Sequence, residues 1–167
     1  MKRVVVKKGK KVITREGSFV IRLSNRLIKE LKPYSKKIQV VGSIRRKEKN
    51  PVDIDIVLIP KDKQRLENFM KMKGKFLQGG EHESSWKIEG VKVELYYTTE
   101  NELGAALLAY SSRFGAGIGL RVVALRKGFK LNSHGLFDRR TGKRIAGKTE
   151  TEIYHALGRE YKEPWER

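Results

Sequence analysis

The chain has 167 residues and a mass of 19.2 kDa, the span of one domain or of two small subdomains. Its 38 Lys and Arg against 19 Asp and Glu leave a formal charge of +19, so acidic partners are implied. With no Cys, disulfide scaffolds, thiolate zinc sites and cysteine nucleophiles are excluded, and neither an 18-residue apolar run nor a signal-type apolar segment points to a membrane.

Residues 1–15 carry seven basic residues and no acid; Val4-Val5-Val6 before Lys8-Gly9-Lys10 suits either a short hairpin or a flexible basic arm. Val20, Leu23, Leu27 and Leu31, with Ile28 beside them, repeat at helical spacing until Pro33, which predicts a core helix over 19–31. Residues 38–43, IQVVGS, read as a buried strand ending in a Gly-Ser turn, followed by a charged loop from Arg45 to Asn50. Pro51 opens a β-branched strand, VDIDIVLIP, which Pro60 ends. Residues 61–74 suit a helix with Leu66, Phe69 and Met70 inward, and WKIE and VKVELYY form a hairpin at Glu89-Gly90. Helices are expected over 100–111 and 117–127, a hairpin over 130–147 turning at Thr141-Gly142, and a last helix from about Glu150 to Leu157. No internal repeat or low-complexity linker occurs, and the change of character near 98–104 divides the chain into 1–99 and 100–167. From Ser112 to Lys148 ten basic residues accompany one acid, Asp138, the densest positive stretch after the N-terminus.

The chemistry gathers on the VDIDIVLIP strand. Alternation sends Asp53 and Asp55 to one face and Val52, Ile54, Ile56 and Leu58 to the other. Neighbouring carboxylates in an apolar strand repel, so a proton or a cation must relieve them, and Mg²⁺ matches the all-oxygen donors. An Asp-x-Asp pair alone is more often a solvated strand face. Here Gly42 and Ser43 end the preceding strand, with Arg45 and Arg46 in the turn beyond it. Backbone N–H groups, a hydroxyl and a guanidinium suit a triphosphate. Glu94 lies between Val93 and Leu95, opposite in parity to the apolar Val91, Val93 and Leu95 and sharing a face with Lys92 and Tyr96. If its strand neighbours the Asp strand, Glu94 completes a two-metal site and helps deprotonate an attacking hydroxyl.

Gly42-Ser43, Arg46, Asp53-x-Asp55 and Glu94 together resemble the nucleotidyltransferase superfamily. The segment LRKGFKLNSHGLFDRRTGKRIAGKTETEIYHALGREYKEPWER resembles the C-terminal end of family X DNA polymerases. The resemblance covers roughly residues 15–167. It implies an α+β fold: a palm with a mixed or antiparallel sheet and helices, including the basic N-terminal segment, over 1–99, then a small thumb-like subdomain of helices and a hairpin over 100–167. It implies metal ligands Asp53, Asp55 and Glu94 for two Mg²⁺ ions, with Mn²⁺ an alternative. Nucleotide contacts would come from Gly42, Ser43, Arg46, Tyr110 and Ser111, the last two facing the incoming sugar. DNA contacts would come from Arg121, near the template strand, and from Arg126, Lys127 and Lys130. Two departures stand out: the family usually has Asp where Glu94 stands and Thr-Gly where Ser111-Ser112 stand. The family's lyase and fingers domains are not expected before residue 38, a layout similar to its very small viral members.

The implied activity is DNA-directed DNA synthesis from deoxynucleoside triphosphates on gapped or primed duplex DNA, in short-gap repair, by a monomer in the cytoplasm or wherever the genome resides. The rival readings are a minimal nucleotidyltransferase acting on RNA, protein or a small molecule, and a non-catalytic nucleic-acid-binding module. The GAGIG run at 115–119 lacks the Lys-Ser/Thr ending of a phosphate loop and reads as the start of a helix. His82, His134 and His155 read as surface or loop residues, and Trp86 and Trp165 as packing residues.

Overall fold

A computed structural model describes residues 2–167, Phe114 by its backbone alone. It is mixed α and β, and it divides into two compact units, one ending at Tyr97 and the other beginning at Thr98.

In the first unit the basic N-terminus forms a hairpin of β1 (Lys2–Lys7) and β2 (Lys10–Arg15), with Val4 opposite Ile13. Lys8 and Gly9 both turn through positive φ, 51° and 75°, as the twist of a two-residue hairpin loop demands. The helix α1 (Gly17–Leu31) buries Val20, Leu23, Leu27 and Leu31 along one stripe, and Pro33 turns the chain out through a 3₁₀ segment. Then come β3 (Ser35–Val41), the single helical turn α2 (Gly42–Arg45), β4 (Ile54–Pro60), α3 (Lys63–Lys73), β5 (Lys75–Gly79), β6 (Glu83–Ile88) and β7 (Val91–Tyr97). Asp62 caps α3, its carboxylate accepting from the Arg65 N–H at 3.2 Å.

The sheet runs β3-β4-β7-β6-β5, antiparallel except for the central β4–β7 pair. β4 is buried on both faces, with Val57 and Ile59 as well as Ile54, Ile56 and Leu58, which suits it to the interior of a sheet. The core gathers the α1 stripe, Leu66 and Met70 of α3, and the inward residues of β4, β6 and β7, with Trp86 wholly buried among them.

Several elements differ from the sequence reading, among them the helices expected over 100–111 and 117–127, which run over Leu103–Ser111 and Phe114–Arg126. The strand expected over 38–43 runs from 35 to 41, because Gly42 already starts a helical turn. The strand expected from Val52 starts at Ile54, so Asp53 precedes the ladder. β5 was not anticipated: it is an edge strand exposed along its whole length, so it has no buried alternation to betray it, and Phe76 meets Trp86 edge-on at 5.1 Å.

The second unit contains α4 (Leu103–Ser111), α5 (Phe114–Arg126), β8 (Phe129–Asn132), β9 (Gly135–Asp138), β10 (Arg144–Ala146) and α6 (Glu150–Ala156). The expected hairpin is a three-stranded sheet, β10-β9-β8, because the chain turns at Ser133-His134 as well as after Asp138. Residues 115–119 lie in the first turns of α5. Leu108, Ala124, Leu131, Leu136, Ile153 and Leu157 anchor the core. Thr149 caps α6, accepting from the Glu152 N–H at 3.1 Å, while Glu152 accepts from the N–H groups of Gly147 and Lys148 at 2.8 and 2.7 Å. Glu150 and Arg167 form a buried ion pair at 2.7 Å. His82 and His155 are exposed, His134 bonds Glu102 at 3.0 Å, and Trp165 is half exposed.

Candidate active site

Register makes the site. In the parallel β4–β7 pair Asp55 stands directly opposite Glu94, while the flanking pairs Ile54–Val93 and Ile56–Leu95 enter the core. Side chains alternate, so both carboxylates emerge on the other face of the sheet. On the far side of β4, Val41 pairs with Asp55, and the chain then bends at Gly42 with φ +63°. A Cβ at Gly42 would lie 2.4 Å from Asp55 Oδ2; only glycine combines that φ with so close an approach. Ser43 is half-buried in the turn. The Arg46 N–H closes it on the Gly42 carbonyl at 3.1 Å, and its guanidinium pairs with Glu48 at 3.1 Å.

The Tyr96 hydroxyl donates to Glu94 Oε2 and lies 3.5 Å from Asp55 Oδ1, so it bridges the two carboxylates. Lys92 reaches Glu94 Oε1 at 2.8 Å. Asp53, buried just ahead of β4, forms an ion pair with Lys7 of the N-terminal hairpin.

These neighbours set the charges. Burial pushes the Asp55 carboxyl up to about 6, and the negative charge of Glu94 adds to the shift against Lys7, Tyr96 and Arg46. Burial acts upward on Glu94 too, but hydrogen bonds from Lys92 and Tyr96 and the charges of Lys92 and Lys7 outweigh it, holding Glu94 below the usual carboxylate range. Burial draws the Lys7 ammonium below its ordinary value, with Asp55 and Glu94 opposing.

An all-oxygen donor set in which one carboxylate is destabilised by burial and by its neighbour suits a hard divalent cation. Among the described residues, however, no three acidic or histidine side chains converge as a finished ligand set. Asp55 and Glu94 are brought together; Asp53 lies outside the strand and is held by Lys7. Sequence reasoning placed Tyr96 on the Glu94 face by parity. It missed Lys7, which no local pattern connects to the carboxylates.

In the second unit a cleft of about 340 Å³ is lined by Leu108, Tyr110, Ser112, Leu120, Arg121 and Asn132, among others. Ser111 differs from its expected place: it is fully buried and off the cleft wall, because α4 turns that position into the interior. Ser112 lines the cleft instead, its hydroxyl donating to the Leu108 carbonyl at 2.8 Å. Arg121, Arg126, Lys127 and Lys130 are all exposed.

Residues 118–167 match the DNA polymerase beta thumb family. Over 170 aligned residues the chain is 29% identical to the Repair DNA polymerase X of the Badajoz strain of African swine fever virus, a match covering 95% of this chain and 96% of the viral protein. The Repair DNA polymerase X sequences of a Kenyan pig isolate and a Malawian tick isolate of the same virus are similar to the same extent.

Proposed function

We propose that this chain, a small DNA-directed DNA polymerase of the family X type, fills short gaps in duplex DNA by adding deoxynucleotides to a 3′-hydroxyl on the carboxylate face of β4 and β7. The observation that carries this reading is the register of Asp55 opposite Glu94, with Gly42 closed against Asp55. Asp53, Asp55 and Glu94 would hold the divalent cations, Mg²⁺ or Mn²⁺, which in this class of reaction stabilise the attacking and leaving oxygens of an in-line displacement. Glu94, charged at neutral pH, accepts the proton as the 3′-hydroxyl attacks the α-phosphorus and pyrophosphate leaves. Ser43 and Arg46 take the triphosphate through a hydroxyl and a guanidinium. Glu48 occupies the Arg46 fork and is exposed, so an incoming phosphate displaces it at small cost.

In the second unit Tyr110 and Ser112 line a cleft suited to a nucleotide's sugar, and the exposed Arg121, Arg126, Lys127 and Lys130 take DNA phosphates. Primer extension across a one-nucleotide gap, with each deoxynucleoside triphosphate in turn and Mg²⁺ or Mn²⁺, tests the reading. The wild type extends with the complementary nucleotide, and Asp55→Ala does not while still binding the gapped duplex. A wild type that extends nothing with either metal overturns it.

A further inference from the structure

The N-terminal hairpin is fixed to the segment that carries Asp53. The Arg3 guanidinium donates to the Pro51 carbonyl at 2.6 Å and the Arg15 carbonyl at 2.6 Å. The buried Thr14 hydroxyl donates to the Val52 carbonyl at 2.9 Å. Arg15 in turn reaches the Glu89 carbonyl at 3.2 Å and lies over the Phe19 ring at 3.7 Å. These anchors fix Lys7, the last residue of β1, over the carboxylate face, where its ammonium pairs with Asp53 and acts through charge on both Asp55 and Glu94. Asp55 and Glu94 face each other without a metal ion and repel, and Lys7 is a cation the chain itself brings from the N-terminal hairpin, beside Lys92, which pairs with Glu94 alone.

We propose that Lys7 is a tethered counter-cation of this site: its ammonium holds the carboxylates together when no metal is bound, competes with the divalent cation, and must withdraw as the cation enters. Three observations support this. Asp53 is taken by Lys7, and among the described residues the three carboxylates do not form a finished ligand set. The Lys7 side chain is 43% exposed, so it has open space to move into, whereas the Asp53 side chain is only 10% exposed and stays. The hairpin's anchors run through Arg3, Thr14 and Arg15, so Lys7 can leave without the hairpin detaching. A tethered group competes at high effective concentration, which makes it an efficient competitor for a free ion. Lys7 is thus a positioning residue that sets how tightly the metal binds before substrate arrives.

The inference rests on the reading of this face as the cation site, and the experiment separates the two. Mn²⁺ alone, without DNA or nucleotide, is titrated into the full chain by electron paramagnetic resonance, with thermal melts in chelator and in Mn²⁺. Lys7→Met should bind Mn²⁺ about fivefold or more tightly than the wild type, within the usual range of site-to-site coupling. It should also melt lower in chelator and gain more from Mn²⁺, while Lys7→Arg, which keeps the charge, stays close to the wild type. Lys7→Gln serves equally if the methionine variant fails to fold. A merely structural Lys7 would lower the melting temperature and leave Mn²⁺ affinity unchanged or weaker; with Asp55→Asn still abolishing Mn²⁺ binding, that result overturns the role of Lys7 alone. Asp55→Asn binding Mn²⁺ like the wild type, or no Mn²⁺ binding by any variant, overturns the site beneath it as well.

Discussion

Gly42 and Glu94 carry the sharpest residue-scale consequences. Replacing Gly42 by Ala puts a methyl group 2.4 Å from Asp55 Oδ2 at a φ of +63°, so either the turn or the carboxylate must shift. Gap-filling turnover of Gly42→Ala should fall by about 10²-fold, the scale of loss that follows an ångström of misplacement, and its melting temperature should drop; an enzyme of wild-type turnover would show that the close approach is not needed. Glu94→Gln should lose turnover on a similar scale while binding gapped DNA normally, because it removes a charge and leaves the sheet intact. Glu94→Asp should not outperform the wild type. Lys92 at 2.8 Å and the Tyr96 hydroxyl are placed for the longer side chain, and an Asp draws back from both by about 1.5 Å, one methylene. Steady-state kinetics of the two variants beside the wild type check this.

At the scale of elements, α6 is held by its N-terminus. The Thr149 and Glu152 side chains accept three backbone hydrogen bonds there, and backbone hydrogen bonds, that of Gly147 first, hold the Glu152 carboxyl below its ordinary value against the pull of burial. A carboxyl whose folded value is depressed stabilises the fold above its unfolded value near 4.5, and that stability is lost as pH falls through the lower, folded value. Glu152→Gln should therefore melt below the wild type at pH 7, and the gap should close as the pH falls below about 4.5. Melting curves of both proteins from pH 3 to 8 measure it, and a gap independent of pH would mean the amide's geometry, not the charge, is at fault. Elements were legible where one face is buried: the α1 stripe and the β6–β7 hairpin follow their apolar periods. β5, with no buried face, left no such trace, and the second turn at Ser133-His134 was hidden inside what reads as one hairpin arm.

For the whole molecule, +19 on 167 residues makes binding to DNA a salt-dependent equilibrium. Each phosphate neutralised on duplex contributes roughly −0.9 to the slope of log K against log salt. Lys8, Lys10 and Lys11, all exposed on the hairpin, are placed to contribute without touching the carboxylates. Replacing the three by Ser should flatten the slope by about 2 to 3 and leave Mn²⁺ binding unchanged, as read by fluorescence anisotropy over a salt series. An unchanged slope would confine the DNA contacts to the rest of the basic surface.

The sequence by itself supplied the candidate carboxylates of this site and a resemblance to a polymerase family. Parity placed Asp55 on one strand face and Glu94 with Tyr96 on another, a Gly-Ser turn preceded the carboxylates, and residues 125–167 carried the polymerase resemblance, because each of these is a local pattern of period two or a contiguous motif. Only the tertiary structure decided that β7 pairs with β4 in parallel and in the register that sets Glu94 against Asp55, since a parallel pair is joined by a long crossover whose register no local rule fixes. It likewise decided that Asp53 falls outside the strand, that Ser111 turns inward, and that Lys7 arrives from the N-terminal hairpin as the counter-charge. Long-range pairing and burial, rather than periodicity, choose which charges meet.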